Sequence, residues 1–356
     1  MQDDAITGIL YVAFGLVALV TLGKHDVPNI RQHPDNSAVR VAVALNAPDD
    51  GPTQADGTYP AILAYNEVGD YIGWSDWQHR PHIKSGGFHD VIIEQQKGPG
   101  QQATYLQLFA GTDAVCIAYI SQTWADGTTR GWLGDMGRAC GRPYYYSHIF
   151  VGNDGHVPDC IWMDADHSDD PDHDKPAALQ IHMQEYTNLT TAYSRDPAHY
   201  CDEECIIFHR DPTKHLDFKK HPPKEDRLFR GNHPPGGPCC MDDDGYAKIK
   251  TKRQRQQQPR NRRSPALAAR LVSSPHGKHS ATDLCGSELS HGPDFVSWSE
   301  RVFCDMGTKV SWPLCGSGGS VGGEEGEGEC YEWETHSLVT GGRKVARDYA
   351  TVEEWE

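Results

Sequence analysis

Short runs with an apolar residue at every second position are the feature that most limits how this chain can fold. Val39, Val41, Val43 and Leu45 alternate with Arg40, Ala42, Ala44 and Asn46, a period of two that reads as a half-buried strand. Further short runs, rich in β-branched and aromatic residues, follow at 61–65, 70–74, 91–95, 105–109, 115–121, 144–151, 160–163 and 179–183. Turn formers separate them, among them Gly98-Pro99-Gly100, Asp126-Gly127 and Asp154-Gly155. No window between 38 and 185 sustains a helical period. Regularly spaced strands without intervening helices predict an all-β fold, an antiparallel sandwich or jelly roll rather than a parallel α/β sheet. Asp126-Gly127 predicts a hairpin across which Trp124 and Trp132 face one another.

From about 191 to 277 Pro, His, Arg, Gln and Asp dominate and apolar periodicity disappears, as expected of a disordered linker. Residues 278–356 then form a small cysteine-bearing segment with a Gly/Glu tract at 316–328 and a tail. Within it, Gly307-Thr308 reads as the turn of a hairpin whose ends, Cys304 and Cys315, are placed for a cross-link, although spacing alone leaves the pairing open. The expected organisation is thus an N-terminal leader or anchor (1–23), a β-rich main domain (24–190), a linker (191–277) and the C-terminal segment (278–356).

Three features suit the secretory pathway. Eleven cysteines are many for a reducing compartment. Cys116, Cys140, Cys160, Cys285, Cys304, Cys315 and Cys330 are the leading disulfide candidates, and the odd total leaves a thiol over or an intermolecular bond. Cys201 with Cys205, and the vicinal Cys239-Cys240, read better as structural bridges than as redox or metal sites. Asn188-Leu189-Thr190 is an acceptor sequon for N-glycosylation. The dibasic pairs ending at Arg253 and Arg263 offer processing sites to a kexin-type protease. The uncharged stretch 5–23 supplies the entry signal, with Thr21-Leu22-Gly23 permitting cleavage after Gly23. Its flanks fit the alternative, an uncleaved membrane anchor, because Asp3 and Asp4 precede it and Lys24 and Arg31 follow.

The formal net charge of −17 argues against nucleic acid or anionic membrane as a general partner. Several stretches are more specific: Ile83–Phe88, Cys116–Ile120, Trp124–Gly127, Gly131–Asp135, Cys160–Asp166, Gln180–His182, Gly292–Ser297, Phe303–Met306 and Trp312–Cys315. Together they resemble a family of uncharacterised, cysteine-containing proteins secreted by filamentous fungi. The resemblance implies secretion and a β-rich body, and brings no catalytic residue with it.

Candidate chemistry is sparse. Residues 164–174 hold six carboxylates and two imidazoles. Asp164, Asp166, Ser168 and Asp170 fall at the first four ligand spacings of an EF-hand, which makes Asp164, Asp166 and Asp170 candidate Ca²⁺ ligands. The match then breaks, with Asp169 in place of the turn glycine and Lys175 in place of the bidentate Glu, so a solvated acidic loop is the plainer reading. His79, His82 and His89 cluster in a loop without a shared face. Gly318–Gly322 matches a nucleophile elbow but lacks the strand and helix that strain such a serine. Trp74, Trp77, Trp124 and Trp132 are candidates for stacking on sugar rings if exposed. With no credible nucleophile, metal triad or cofactor loop, the expected activity is non-catalytic binding, to cell-wall polysaccharide or another extracellular protein. The alternative is a secreted hydrolase or metal-dependent enzyme acting on polysaccharide through carboxylates near Asp135, Asp164 and Asp166, if strand ends bring them together.

Overall fold

In this computed structural model the chain is described over residues 8–13, 16–28, 35–45, 55–75, 80–96, 98–168, 175–186, 200–201, 205–210, 265–316 and 329–355. Strands β1 (Gly8–Ala13) and β2 (Leu16–Thr21) pair as an antiparallel hairpin. This apolar stretch is rich in Val, Ile, Thr and Tyr, which favour strands. Among the described residues no helix is long and apolar enough to cross a membrane.

The body follows as β3 (Ser37–Val43), β4 (Gly57–Thr58), β5 (Ala61–Tyr65), β6 (Tyr71–Trp74), β7 (His82–Ile83), β8 (Phe88–Gln95) and β9 (Tyr105–Phe109). Next come β10 (Val115–Thr123), β11 (Thr129–Leu133), helix α1 (Asp135–Ala139), β12 (Tyr144–Tyr146), β13 (Asp159–Met163), β14 (Ala178–His182), a 3-10 turn (Met183–Tyr186) and β15 (Ile206–His209). The C-terminal part contains α2 (Pro265–Ala268), β16 (Arg270–Ser274), α3 (Ala281–Gly286), β17 (Asp294–Ser297), β18 (Val302–Asp305) and β19 (Val310–Pro313). It ends with β20 (Cys330–Glu332), β21 (Ser337–Thr340), β22 (Arg343–Ala346) and β23 (Thr351–Glu354).

The chain is all-β, built on a curled antiparallel sheet of eleven strands in the order β12-β13-β10-β3-β8-β6-β5-β9-β14-β15, with β11 on β10. β8 is the corner. Its first six residues pair with β3, whereas Glu94 and Gln95 pair with β6. Gly73 makes that crossing possible, since a Cβ there would stand 2.4 Å from the Glu94 carbonyl oxygen. The two halves close over one core, to which Val39, Val41, Ile62, Ile72, Leu106, Leu108, Ile117, Ile120, Ile161 and Leu179 all contribute.

The outer side of the β10–β13 half carries a second core. Cys116, Ala118, Tyr145 and Trp162 pack there against Val272, Leu284, Phe295 and Trp355 of the C-terminal part. That part is a five-stranded sheet, β19-β18-β17-β16-β23, with β16 parallel to both β17 and β23. Arg270 of β16 and Glu353 of β23 form a buried ion pair between them. A three-stranded sheet, β20-β21-β22, covers its other face, with Phe303 stacked on Tyr331.

Four expectations need correction. β15 and β16 lie inside the stretch read as linker, because each is a four- or five-residue run paired with neighbouring strands, too short to show as a periodic window. Cys304 bonds Cys285 and Cys315 bonds Cys330, since α3 and β20 lie against opposite ends of the β18–β19 hairpin. Cys140 pairs with Cys201 and Cys116 with Cys160; Cys205 is buried and in none of these bonds, while Cys239 and Cys240 lie outside the described residues. Trp124 and Trp132 do not face one another. Trp132 lies opposite Ile120, Trp124 sits beyond the last strand pair of the hairpin, and both rings are buried in the main core, 1% and 0% exposed.

Non-reducing peptide mapping should recover Cys116–Cys160, Cys140–Cys201, Cys285–Cys304 and Cys315–Cys330. Replacing Cys116 and Cys160 together by Ala should lower unfolding free energy by about 3–4 kcal/mol, read from the midpoint of urea denaturation.

Candidate functional site

In β5, β9 and β14 alternate residues face opposite ways. Ile62, Ala64, Leu106, Leu108, Leu179 and Ile181 point into the main core. The residues between them therefore share the outer face. Register lines them up in rows: Tyr65 beside Tyr105 beside His182, and Leu63 beside Gln107 beside Gln180. From β6, Tyr71 extends the first row and Trp74 the second. Ala61, Leu63, Tyr65, Tyr71, Phe109 and Ala178 form the apolar floor, with Trp74 and Tyr105 half-buried against it.

Polar groups are set among these rings. His182 stacks on Tyr105 with ring centroids 4.0 Å apart and planes 5° from parallel. Its Nε2 lies 3.0 Å from Glu67 Oε2 and its Nδ1 3.3 Å from Glu185 Oε1. Burial pushes up the pKa of the Tyr71 phenol, and of the Tyr65 phenol further along the row. Gln180 Oε1 and the Tyr71 hydroxyl are buried and meet no hydrogen-bond partner among the described residues. An unsatisfied buried polar atom costs about 1–3 kcal/mol. Gln107, Gln180 and His182 are themselves buried, so Trp74 and Tyr105, both half-buried, and the exposed Glu67 carboxylate are what this face offers for contact.

The residues expected to act elsewhere are dispersed. Asp135 is buried on α1, its Oδ2 3.3 Å from Nε2 of the buried His156. Gly134 allows this packing, because a Cβ there would stand 2.2 Å from the Asp159 carbonyl oxygen. Asp159 receives a 3.1 Å contact from Arg138, whose guanidinium also covers the Tyr144 ring at 4.4 Å. Burial raises the Asp159 pKa, opposed by Arg138 and reinforced by Asp135. Asp164 lies just past the other end of β13. At a strand's rise per residue, Asp159 and Asp164 are about 16 Å apart, beyond the about 5–9.5 Å of paired glycosidase carboxyls. The strand separates the acids instead of gathering them.

Asp164 is fully buried and its pKa is pushed up to about 6, chiefly by burial. Its Oδ1 accepts the Asp166 N–H at 3.4 Å, and Asp166 Oδ1 accepts the Ser168 N–H at 3.0 Å. Both carboxylates thus serve local turns. Lys175 is buried, with its Nζ 5.4 Å from the Trp162 ring centre. Among the described residues no three His, Cys, Asp or Glu side chains are placed to hold a metal ion. His82 pairs with Asp56 at 2.7 Å while His89 packs on the edge of Tyr59, so these two do not share a site. Trp77, His79, Asp170, Asn188, Arg253, Arg263 and the serine of Gly318–Gly322 lie outside the described residues.

Of the four tryptophans singled out from sequence, Trp74 alone is placed on a partly open face among those described; Trp124 and Trp132 are core residues. Tyr105, Gln107, Gln180 and His182 were missed. The signal was present in Tyr105-Leu-Gln-Leu-Phe109, where leucines alternate with polar or aromatic residues, and asking what the second face carries would have found it. No family model matches the chain, and no curated protein matches it.

Gln180→Leu should raise unfolding free energy by about 1 kcal/mol, because it removes an uncompensated carbonyl from the interior. Chemical denaturation checks this, with Gln107→Leu for comparison.

Proposed function

We propose that the protein is a non-catalytic binding protein of the extracellular space, with the outer face of β6, β5, β9 and β14 as its contact surface and cell-wall polysaccharide as its ligand. The observation that carries the reading is the juxtaposition of half-buried Trp74 and Tyr105 with the exposed Glu67 carboxylate of the Glu67–His182–Glu185 group. Four disulfides within the described residues fit an oxidising compartment. Secretion and the resemblance to the fungal family rest on the sequence of residues 5–23 and on the motifs alone, and belong to the same proposal.

Hydrolysis is the weaker reading, because Asp135 and Asp164 stand at opposite ends of β13 and both are buried. The decisive measurement is retention of the full chain on insoluble β-glucan and chitin. Trp74→Ala and Tyr105→Ala should each lower the retained fraction at least about fivefold, in line with about 1 kcal/mol or more per aromatic contact. No retention by the wild-type protein, or equal retention by both variants, would remove the proposal.

A further inference from the structure

The second core contains a group of three histidines brought together from distant parts of the chain. His148 follows β12, whereas His276 and His279 lie in the loop between β16 and α3. The His276 and His279 ring centroids are 4.9 Å apart, and those of His148 and His279 5.8 Å. His148 stacks on Trp355 at 4.7 Å and His279 on Tyr146 at 4.9 Å, so the group sits where the C-terminal sheet meets the body. Ser274 Oγ lies 2.8 Å from His279 Nδ1. The remaining nitrogen, His279 Nε2, and His148 Nδ1 are buried without a hydrogen-bond partner among the described residues.

We propose that this cluster is an acid-sensitive latch: neutral imidazoles let the C-terminal sheet dock on the body, and their protonation loosens that contact.

Every charged group acting on the rings opposes protonation. His276 acts on His148; His276, His148 and Lys278 act on His279; Lys278 acts on His276. The nearby carboxylates are engaged elsewhere. Glu300 accepts from Ser280 Oγ and the Thr282 N–H, while Asp159 and Asp283 act on Tyr146, whose hydroxyl donates to the Ser280 carbonyl. Burial, assisted by these cations, pushes His148 down to about 4 and His279 down to about 3, and lowers His276. The docked state therefore binds fewer protons than the open state, in which an imidazole titrates near its ordinary value of about 6.5. Docking is fully favoured above that value and is weakened as pH falls toward the docked-state values.

The contact is built to open. None of the four disulfides of the described residues crosses it: two lie in the body and two in the C-terminal part. What crosses is apolar packing, the Arg138–Asp283 ion pair at 3.5 Å, its Asp283 side largely exposed, and a few hydrogen bonds, including Tyr144 N–H to the Leu289 carbonyl, His291 N–H to the Tyr144 carbonyl and Trp162 Nε1–H to the His291 carbonyl. Gly292 lets the strands approach, since a Cβ there would stand 2.2 Å from the Tyr145 ring.

Hydrogen exchange on the full chain tests the latch, with rates corrected for intrinsic pH dependence. Between pH 6.5 and 4.5 the openings that expose peptides around Tyr144, His291 and Trp355 should rise by roughly fortyfold for each of His148 and His279. Peptides of β9 should keep their protection. His148→Gln with His279→Gln should abolish the acid response. If that pair fails to fold, half-buried His276→Gln should still move its midpoint to lower pH, by relieving one like charge. Equal protection at both pH values, or an unchanged response in the variant that folds, overturns the proposal.

Discussion

Burial of one sheet half on both faces is the constraint from which the rest of the structure follows. In β10, Val115, Ile117 and Ile120 fill the main core, while Cys116, Ala118 and Tyr119 fill the second. A register shift between Ile117 and Tyr119 against β3 is where this alternation changes phase. β13 does the same, with Ile161 and Met163 on one side and Cys160 and Trp162 on the other. A wall shared in this way cannot relax toward either side without disturbing the opposite packing, because protein interiors are close-packed. The Cys116–Cys160 bond and the Trp162 indole both lie on its outer surface, so the C-terminal sheet rests on a braced platform. The other half of the curl, β5, β9 and β14, carries no second sheet among the described residues. On its outer face Trp74 and Tyr105 remain half-buried.

Much of the fold was legible in sequence because strand patterning is local. The runs at 61–65, 105–109 and 179–183 correspond closely to β5, β9 and β14. Interpretation failed where meaning depended on partners far along the chain. Alternation shows that a strand has two faces, but not that Val115-Cys-Ile-Ala-Tyr-Ile120 would be buried on both. Leu271-Val272 looks like a chance pair until parallel strands flank it on either side. The same holds for the disulfides: proximity in sequence favoured Cys304 with Cys315, while α3 delivers Cys285 to the other side of β18.

Candidate sites were less legible than strands. Sequence drew attention to dense clusters, the acidic run at 164–174 and the histidines at 79–89. Those that are described satisfy turns or pair with single neighbours. The groups that gather polar atoms in the structure come from dispersed residues. Glu67, Tyr105 and His182 meet because β5, β9 and β14 are adjacent in the sheet, and His148 meets His279 because two sheets dock. At both places folding leaves a buried nitrogen or oxygen without a partner. Such atoms weaken the isolated fold, and sequence periodicity gives no sign of them.

The position of β16 has a consequence for biogenesis. It is an internal strand of its sheet, joined in parallel to β17 on one edge and to the edge strand β23 on the other. Arg270 at its start finds its buried counter-charge in Glu353. During translation at about 5–20 residues per second, this strand emerges several seconds before Thr351–Glu354. Throughout that interval it has an open hydrogen-bonding edge and an uncompensated guanidinium. Closure of this edge of the sheet therefore has to wait for the last strand to be made, whatever has paired before it.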